Sequence, residues 1–134
     1  MVMWIYQNKE FTEDQIEKNI GYVYLITNNI SGRKYIGKKL FWFSKTRMLK
    51  GKKKKEKVLS DWKTYWSSSE ELQNNVKELG EGNFTREILY LCLNKGTMSY
   101  LEARQQFACG VLEKPTEWYN GIIQCKIHRT HVKL

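Results

Sequence analysis

The sequence predicts an α+β domain. One stretch, Tyr22–Thr27 (YVYLIT), is dense in β-branched and aromatic residues and reads as a strand. It is followed by the turn formers Asn28, Asn29, Ser31 and Gly32 and by a second strand-like stretch, Arg33–Gly37, which together read as an antiparallel hairpin. Two segments with helix-capping signatures then flank a mostly apolar run, Phe84–Leu93, that reads as a buried third strand.

Each element has a local reason. Met1–Tyr6 is apolar and aromatic and suits an extra strand lying against the core, and Thr12 with Gln15 forms a capping-box pattern for a short helix over 13–19. In the first hairpin strand, alternation places Tyr22, Tyr24 and Ile26 on one face and Val23 and Leu25 on the other. Ser67 with Glu70, or Ser68 with Glu71, starts a helix over 69–79 whose apolar face is Leu72, Val76 and Leu79, and Gly80 stops it. A second helix spans 98–112 with Tyr100, Ala103, Phe107 and Val111 as its core stripe and Glu102 and Gln105 on another face; Pro115 ends it. The turn WYNG (118–121) leads into a short strand over 122–127.

Composition bounds the function. The chain has 134 residues, which suits one domain, and its 23 Lys+Arg against 14 Asp+Glu give a net charge of +9. Its longest apolar run is far short of the roughly 20 residues a membrane span needs, and its start does not have the pattern of a secretory signal. Cys92, Cys109 and Cys125 form no C-x-x-C pair and read as buried small apolar residues in a reducing, cytoplasmic setting. Cys125, His128 and His131 form C-x-x-H-x-x-H, but three ligands in a short tail without a second pair favour an exposed basic tail over a zinc site.

The positive charge is concentrated. Residues 45–57 read KTRMLKGKKKKEK, with Lys38 and Lys39 just upstream. Such a run cannot be buried without neutralising partners, so residues 44–58 read as a solvated basic loop. It is either a solubilising or address segment, or a contact for nucleic-acid phosphates through Lys45, Lys50, Lys52, Lys53, Lys54, Lys55 and Lys57, with Lys63 beyond it. Aromatics at both flanks (Phe41, Trp42, Phe43; Trp62, Tyr65, Trp66) suit base stacking or anchoring of the loop.

YVY at 22–24 and YIG at 35–37 resemble the paired signature of the GIY-YIG nuclease superfamily. Tyr22 stands where that family has glycine, and Gly21 lies one place earlier. The order continues with Glu102 on the helix after the third strand and Asn120 in YNG, so the resemblance covers residues 21–123. It implies a small three-stranded antiparallel sheet flanked by helices, preceded by an extension at 1–20 and followed by a basic tail at 124–134. It also implies a DNA endonuclease of the stand-alone homing or phage-borne kind, acting in the cytoplasm of a bacterial or phage-infected cell.

By that resemblance, Glu102 holds one divalent cation, Mg2+ or Mn2+, which suits a carboxylate and a hard ion that keeps most of its waters. Tyr24 acts as the base with a phenol lowered by nearby cations, Tyr35 positions water or phosphate, and Gly37 allows close backbone approach. Asn120 matches a position the family often fills with Asn. Arg47 or Lys39 stabilises the phosphate, and Tyr65 takes the second orienting role. The substrate expected is double-stranded DNA, recognised through the basic loop, the extension, the tail or a second copy of the chain. Each residue also has a plainer reading. The two tyrosines suit cross-strand packing, Glu102 completes a Ser99-x-x-Glu capping box, and Asn120 suits a turn. A binding module that keeps the fold and basic surface without catalysis is the competing function.

Overall fold

The structure, a computed structural model, describes residues 2–134. The first strands are β1 (Trp4–Tyr6), β2 (Lys9–Glu10), β3 (Gly21–Asn28) and β4 (Lys34–Leu40). They are followed by β5 (Trp42–Leu49), β6 (Lys52–Leu59), helix α1 (Glu70–Leu79), β7 (Phe84–Cys92) and helix α2 (Lys95–Cys109). The fold is α+β, but the main sheet has five strands in the order β2-β1-β7-β3-β4 rather than three. The expected three are present and antiparallel, β4 pairing with β3 and β3 with β7. The N-terminal segment enlarges them, because β1 adds parallel to β7 and folds back on β2. The capping box at Thr12 and Gln15 is present, but only one 3₁₀ turn, Glu13–Gln15, follows it.

The alternation expected along β3 decides both sides of the sheet. Tyr22, Tyr24 and Ile26 enter one core with Trp4, Phe11, Phe41, Trp62 and α1's Leu72 and Val76. Val23 enters the other with Ile36, Cys92 and α2's Met98 and Leu101. The first core is held by aromatic edges, with Trp4 and Tyr22 centroids 5.0 Å apart and Tyr22 and Phe41 4.8 Å apart, a geometry worth about 1 kcal/mol per pair beyond burial. Gly21 lies where a methyl group would meet the Lys39 carbonyl and the Met98 sulfur, both at 2.6 Å; the close packing of α2 on the hairpin therefore requires glycine there.

Four sequence expectations change. Helix α2 begins at Lys95 under an Asn94 N-cap, whose side chain accepts from the Thr97 N–H. Its buried residues are Thr97, Met98, Leu101, Ala103 and Gln106, while Phe107 is 64% exposed. Of the expected stripe, Ala103 and Val111 are buried and Tyr100 packs at the core's edge, but Phe107 points out; contact with Val23, Ile36 and Cys92 brings in Met98 and Leu101 instead. No strand forms over 122–127, since the chain leaves the sheet there and its tail docks on α2, with Lys133 N–H donating to Thr97 Oγ1. Only Cys92 is buried; Cys109 is half-buried and Cys125 exposed. The basic segment is a regular two-stranded ribbon, β5 against β6. Lys50 and Gly51 between them both have positive φ (51° and 76°), the pattern of a two-residue I′ hairpin turn. Among the described residues, no helix is long and apolar enough to cross a membrane.

Candidate active site

Strand β4 is an edge strand, so side chains from both of its faces can reach around the same margin. On one face Tyr35 lies over Tyr24, with ring centroids 6.1 Å apart, and Tyr65 meets Tyr24 edge-on at 6.0 Å. On the other, Lys38 reaches α2, donating to Ser99 Oγ at 2.7 Å and lying 3.9 Å from Glu102 Oε1. Between them sits Gly37, where a methyl group would collide with the Tyr24 hydroxyl and the Tyr35 ring. The result is a cleft of about 320 Å3 lined by Tyr24, Tyr35, Lys38, Ser68, Glu102, Gln106, Ile122 and Gln124.

Two supports hold the cleft's walls. Asn120 is buried and clamps β4 by its backbone: its Oδ1 accepts from Ile36 N–H at 3.1 Å and its Nδ2 donates to Ile36 C=O at 2.8 Å. The Tyr65–Ser69 segment is held by Arg86, a fully buried arginine on β7. Its guanidinium donates to the carbonyls of Tyr65 (2.8 Å), Lys63 (3.0 Å) and Val2, and lies against the rings of Trp4 and Trp66. Burial pulls it down to about 10, so it stays charged at neutral pH. Ser67 takes a φ of 75°, an uncommon value for a side-chain-bearing residue, and this turn presents Ser68 Oγ to the Tyr35 hydroxyl at 3.1 Å.

Electrostatically the cleft is dominated by two largely buried phenols and a largely buried carboxylate. Burial pushes the Tyr24 hydroxyl well above its ordinary range, and the neighbouring Tyr65 and Tyr35 add to the shift. Burial also raises Tyr35, against the Ser68 hydrogen bond that lowers it, and raises Tyr65. Without metal or substrate, burial outweighs the nearby cations at both phenols, because Lys38 is committed to Ser99 and Glu102. Glu102 is raised as well, by burial first, with Lys38 opposing. It stands in the middle of α2, eight positions beyond the Asn94 cap, so the capping-box reading of Ser99 and Glu102 does not hold.

Of the other sequence candidates, Lys39 is drawn away from the cleft. Its ammonium pairs with Asp61 at 2.6 Å over the Tyr65 ring. Arg47 lies out on the ribbon, bound to Glu56 at 3.0 Å. Asn120 supports the strand rather than lining the cleft. Lys63 pairs with Glu13 at 3.1 Å, while Lys45, Lys50, Lys52, Lys53, Lys54, Lys55 and Lys57 are exposed along the ribbon.

Sequence reasoning missed Lys38, Ser68 and Gln106 as lining residues. Alternation assigns Lys38 to the face opposite Tyr35, and only its edge position lets it share the cleft. Ser68 carried only a capping signal, although Ser69 is the actual cap of α1. Gln106 could have been found, because it lies one turn beyond Glu102 and shares its side of α2.

The donor set suits a hard divalent ion. Glu102 is a largely buried carboxylate whose ion-pair partner, Lys38, is 3.9 Å away. Gln106 brings a buried Oε1 without a hydrogen-bond partner to the same cleft. Among the described residues no three His, Cys, Asp or Glu side chains cluster to hold a metal. A magnesium-like ion that keeps several waters and takes one carboxylate remains compatible.

The family model for the GIY-YIG domain of the putative endonuclease segE matches residues 4–123. Neither a curated protein nor a solved structure matches the chain. The match spans the sheet, both helices and every residue lining the cleft except Gln124, and the chain therefore belongs to the GIY-YIG endonuclease family.

Proposed function

We propose that this protein is a metal-dependent endonuclease that hydrolyses phosphodiester bonds of double-stranded DNA in the cleft at the β4 edge. The observation that carries the reading is the meeting of Tyr24, Tyr35, Lys38 and Glu102 around Gly37, drawn from the β3–β4 hairpin and from helix α2 far along the sequence. Phosphodiester hydrolysis needs a positioned nucleophile and neutralisation of charge developing on phosphate. Lys38 supplies a fixed cation at the cleft, and Glu102 and Gln106 would hold Mg2+ or Mn2+. The bound ion would polarise the phosphate and lower the pKa of water.

The phenols have a defined resting state. Their raised pKa values keep Tyr24 and Tyr35 protonated at neutral pH, so both are hydrogen-bond donors for a phosphate oxygen or a water molecule. Tyr35 is oriented by Ser68, and the Tyr65 ring packs edge-on against Tyr24. A base role for Tyr24 requires cationic charge brought into the cleft with metal and substrate, and then predicts cleavage that accelerates as pH rises above neutral.

The test is supercoiled plasmid incubated with the full chain. Magnesium should give nicked or linear product, EDTA should suppress it, and Glu102→Ala should reduce the rate by about a hundredfold or more while DNA binding persists. Equal cutting by Glu102→Ala would remove the metal assignment. Binding without cleavage under every divalent ion would leave the non-catalytic module as the function.

A further inference from the structure

The β5–β6 ribbon carries charge on both of its faces, and its register says how. Directly paired residues of an antiparallel ladder share a face. One face carries Ser44 opposite Lys57, Thr46 opposite Lys55 and Met48 opposite Lys53. The other carries Lys45 opposite Glu56, Arg47 opposite Lys54 and Leu49 opposite Lys52. The first face therefore holds three lysines and no acid. The second holds four cations and one carboxylate, with Arg47 and Glu56 already paired at 3.0 Å, so each face is left with three unbalanced positive charges. From Ser44 to Lys55 every residue of the ribbon is exposed, so neither face there rests on the domain.

A bare two-stranded ribbon is marginal in water, and like charges opposite or diagonal to one another weaken it further. An anionic surface touching one face would leave the other uncompensated. A groove with two anionic walls compensates both. The major groove of B-DNA is about 12 Å wide and about 8.5 Å deep, lies between two phosphate backbones and admits a two-stranded ribbon. Same-face lysines of β6 recur every second residue, about 6.6 Å apart, so Lys53, Lys55 and Lys57 extend about 13 Å along one wall.

We propose that the β5–β6 ribbon enters the DNA major groove edge-first, with Lys53, Lys55 and Lys57 addressing one sugar-phosphate wall and Lys45, Lys52 and Lys54 the other. The choice of duplex DNA as partner rests on the nuclease reading; the two-wall geometry rests on the ribbon's register. The ribbon rises directly from the end of β4, with only Phe41 between them, so the groove contact is joined to the strand that carries Tyr35, Gly37 and Lys38.

The experiment is fluorescence anisotropy of the full chain on a 30-bp duplex in EDTA, between about 50 and 200 mM salt. Two triple variants are compared, Lys53→Thr/Lys55→Thr/Lys57→Thr and Lys45→Thr/Lys52→Thr/Lys54→Thr; threonine keeps strand propensity. Matching glutamine sets and circular dichroism guard against a lost ribbon. Each triple should lower the slope of log affinity against log salt by about 2.7, since each lost phosphate contact removes about 0.9, and the six-fold variant should lose about twice that. Methyl green, a major-groove occupant, should displace the protein, and netropsin, a minor-groove occupant, should not. A slope change confined to one triple would mean a ribbon lying flat and would overturn the proposal. Equal slopes on single-stranded DNA, or displacement by netropsin alone, would also overturn it. If both triples bind and titrate like wild type while plasmid is still cut, the ribbon proposal fails and the nuclease reading stands. If the wild type neither binds nor cuts duplex, both fail.

Discussion

The five-stranded domain and the β5–β6 ribbon are built on opposite principles within one chain. The domain buries an arginine, five tyrosine and tryptophan rings and most of a glutamate, and every one of these raises the cost of error. The ribbon buries almost nothing and keeps its lysines in water. The contrast teaches where precision is needed. A cleft in which Tyr24, Tyr35, Lys38 and Glu102 share about 320 Å3 must be held rigidly from both sides. A surface that collects phosphates by charge needs only register and reach.

Changes in the domain should therefore be costly and changes in the ribbon cheap for folding. The largest effect is expected from Arg86→Met, which keeps volume but strips the donors from the Val2, Lys63 and Tyr65 carbonyls. Denaturant unfolding should show a loss of about 2–4 kcal/mol, and a stability equal to wild type would show that those carbonyls find other partners. Next is Gly37→Ala, which forces a methyl group into the Tyr24 hydroxyl. Overpacking of this kind costs about 1–3 kcal/mol, and cleavage should fall further than stability does while duplex affinity, read on the ribbon, is unchanged. Loss of affinity in step with activity would mean that the two regions are not separable.

Glu102→Gln should move the two properties in opposite directions. Burial raises the Glu102 pKa in the folded state, so the ionised carboxylate disfavours folding once pH exceeds the folded-state value. Its protonated form carries no such penalty below the unfolded value near 4.3. Thermal melts should show the glutamine variant more stable than wild type at pH 7 to 8, with the advantage shrinking as pH falls through the raised pKa toward about 4. The same variant should be inactive on plasmid. The smallest effect is expected from replacing residues 44–57 by a short turn, because no core residue lies there. Melting should shift by about 2 °C or less, with the whole loss appearing in DNA affinity. A large destabilisation would show that the ribbon supports the domain.

Much of this was legible locally. Alternation in YVYLIT placed Tyr22, Tyr24 and Ile26 on one side of the sheet because strand periodicity is a property of the backbone. The charge of the Lys run announced an exposed segment because no interior accepts it. Its ribbon form was hidden by composition: lysine is a poor strand signal, and the Lys50-Gly51 turn was the one clue. The inward face of α2 is only partly legible, because Phe107 repeats as helically with Ala103 as Met98 and Leu101 do with each other, and the sheet beneath selects Met98 and Leu101 over Phe107.

The sequence by itself determined the hairpin, its two faces, the order of Tyr24, Tyr35, Glu102 and Asn120, and the excess of positive charge, since each follows from neighbours along the chain. The tertiary structure alone decided that Lys38 rather than Lys39 or Arg47 lines the cleft and that Ser68 meets Tyr35. It also decided that Asn120 holds Ile36 and that Arg86 carries the loop. These are pairings between residues from 21 to 84 positions apart, apart from the choice between adjacent lysines. Such pairings are set by which edge of a sheet is open and which carbonyls a fold leaves without donors, and no local periodicity records either.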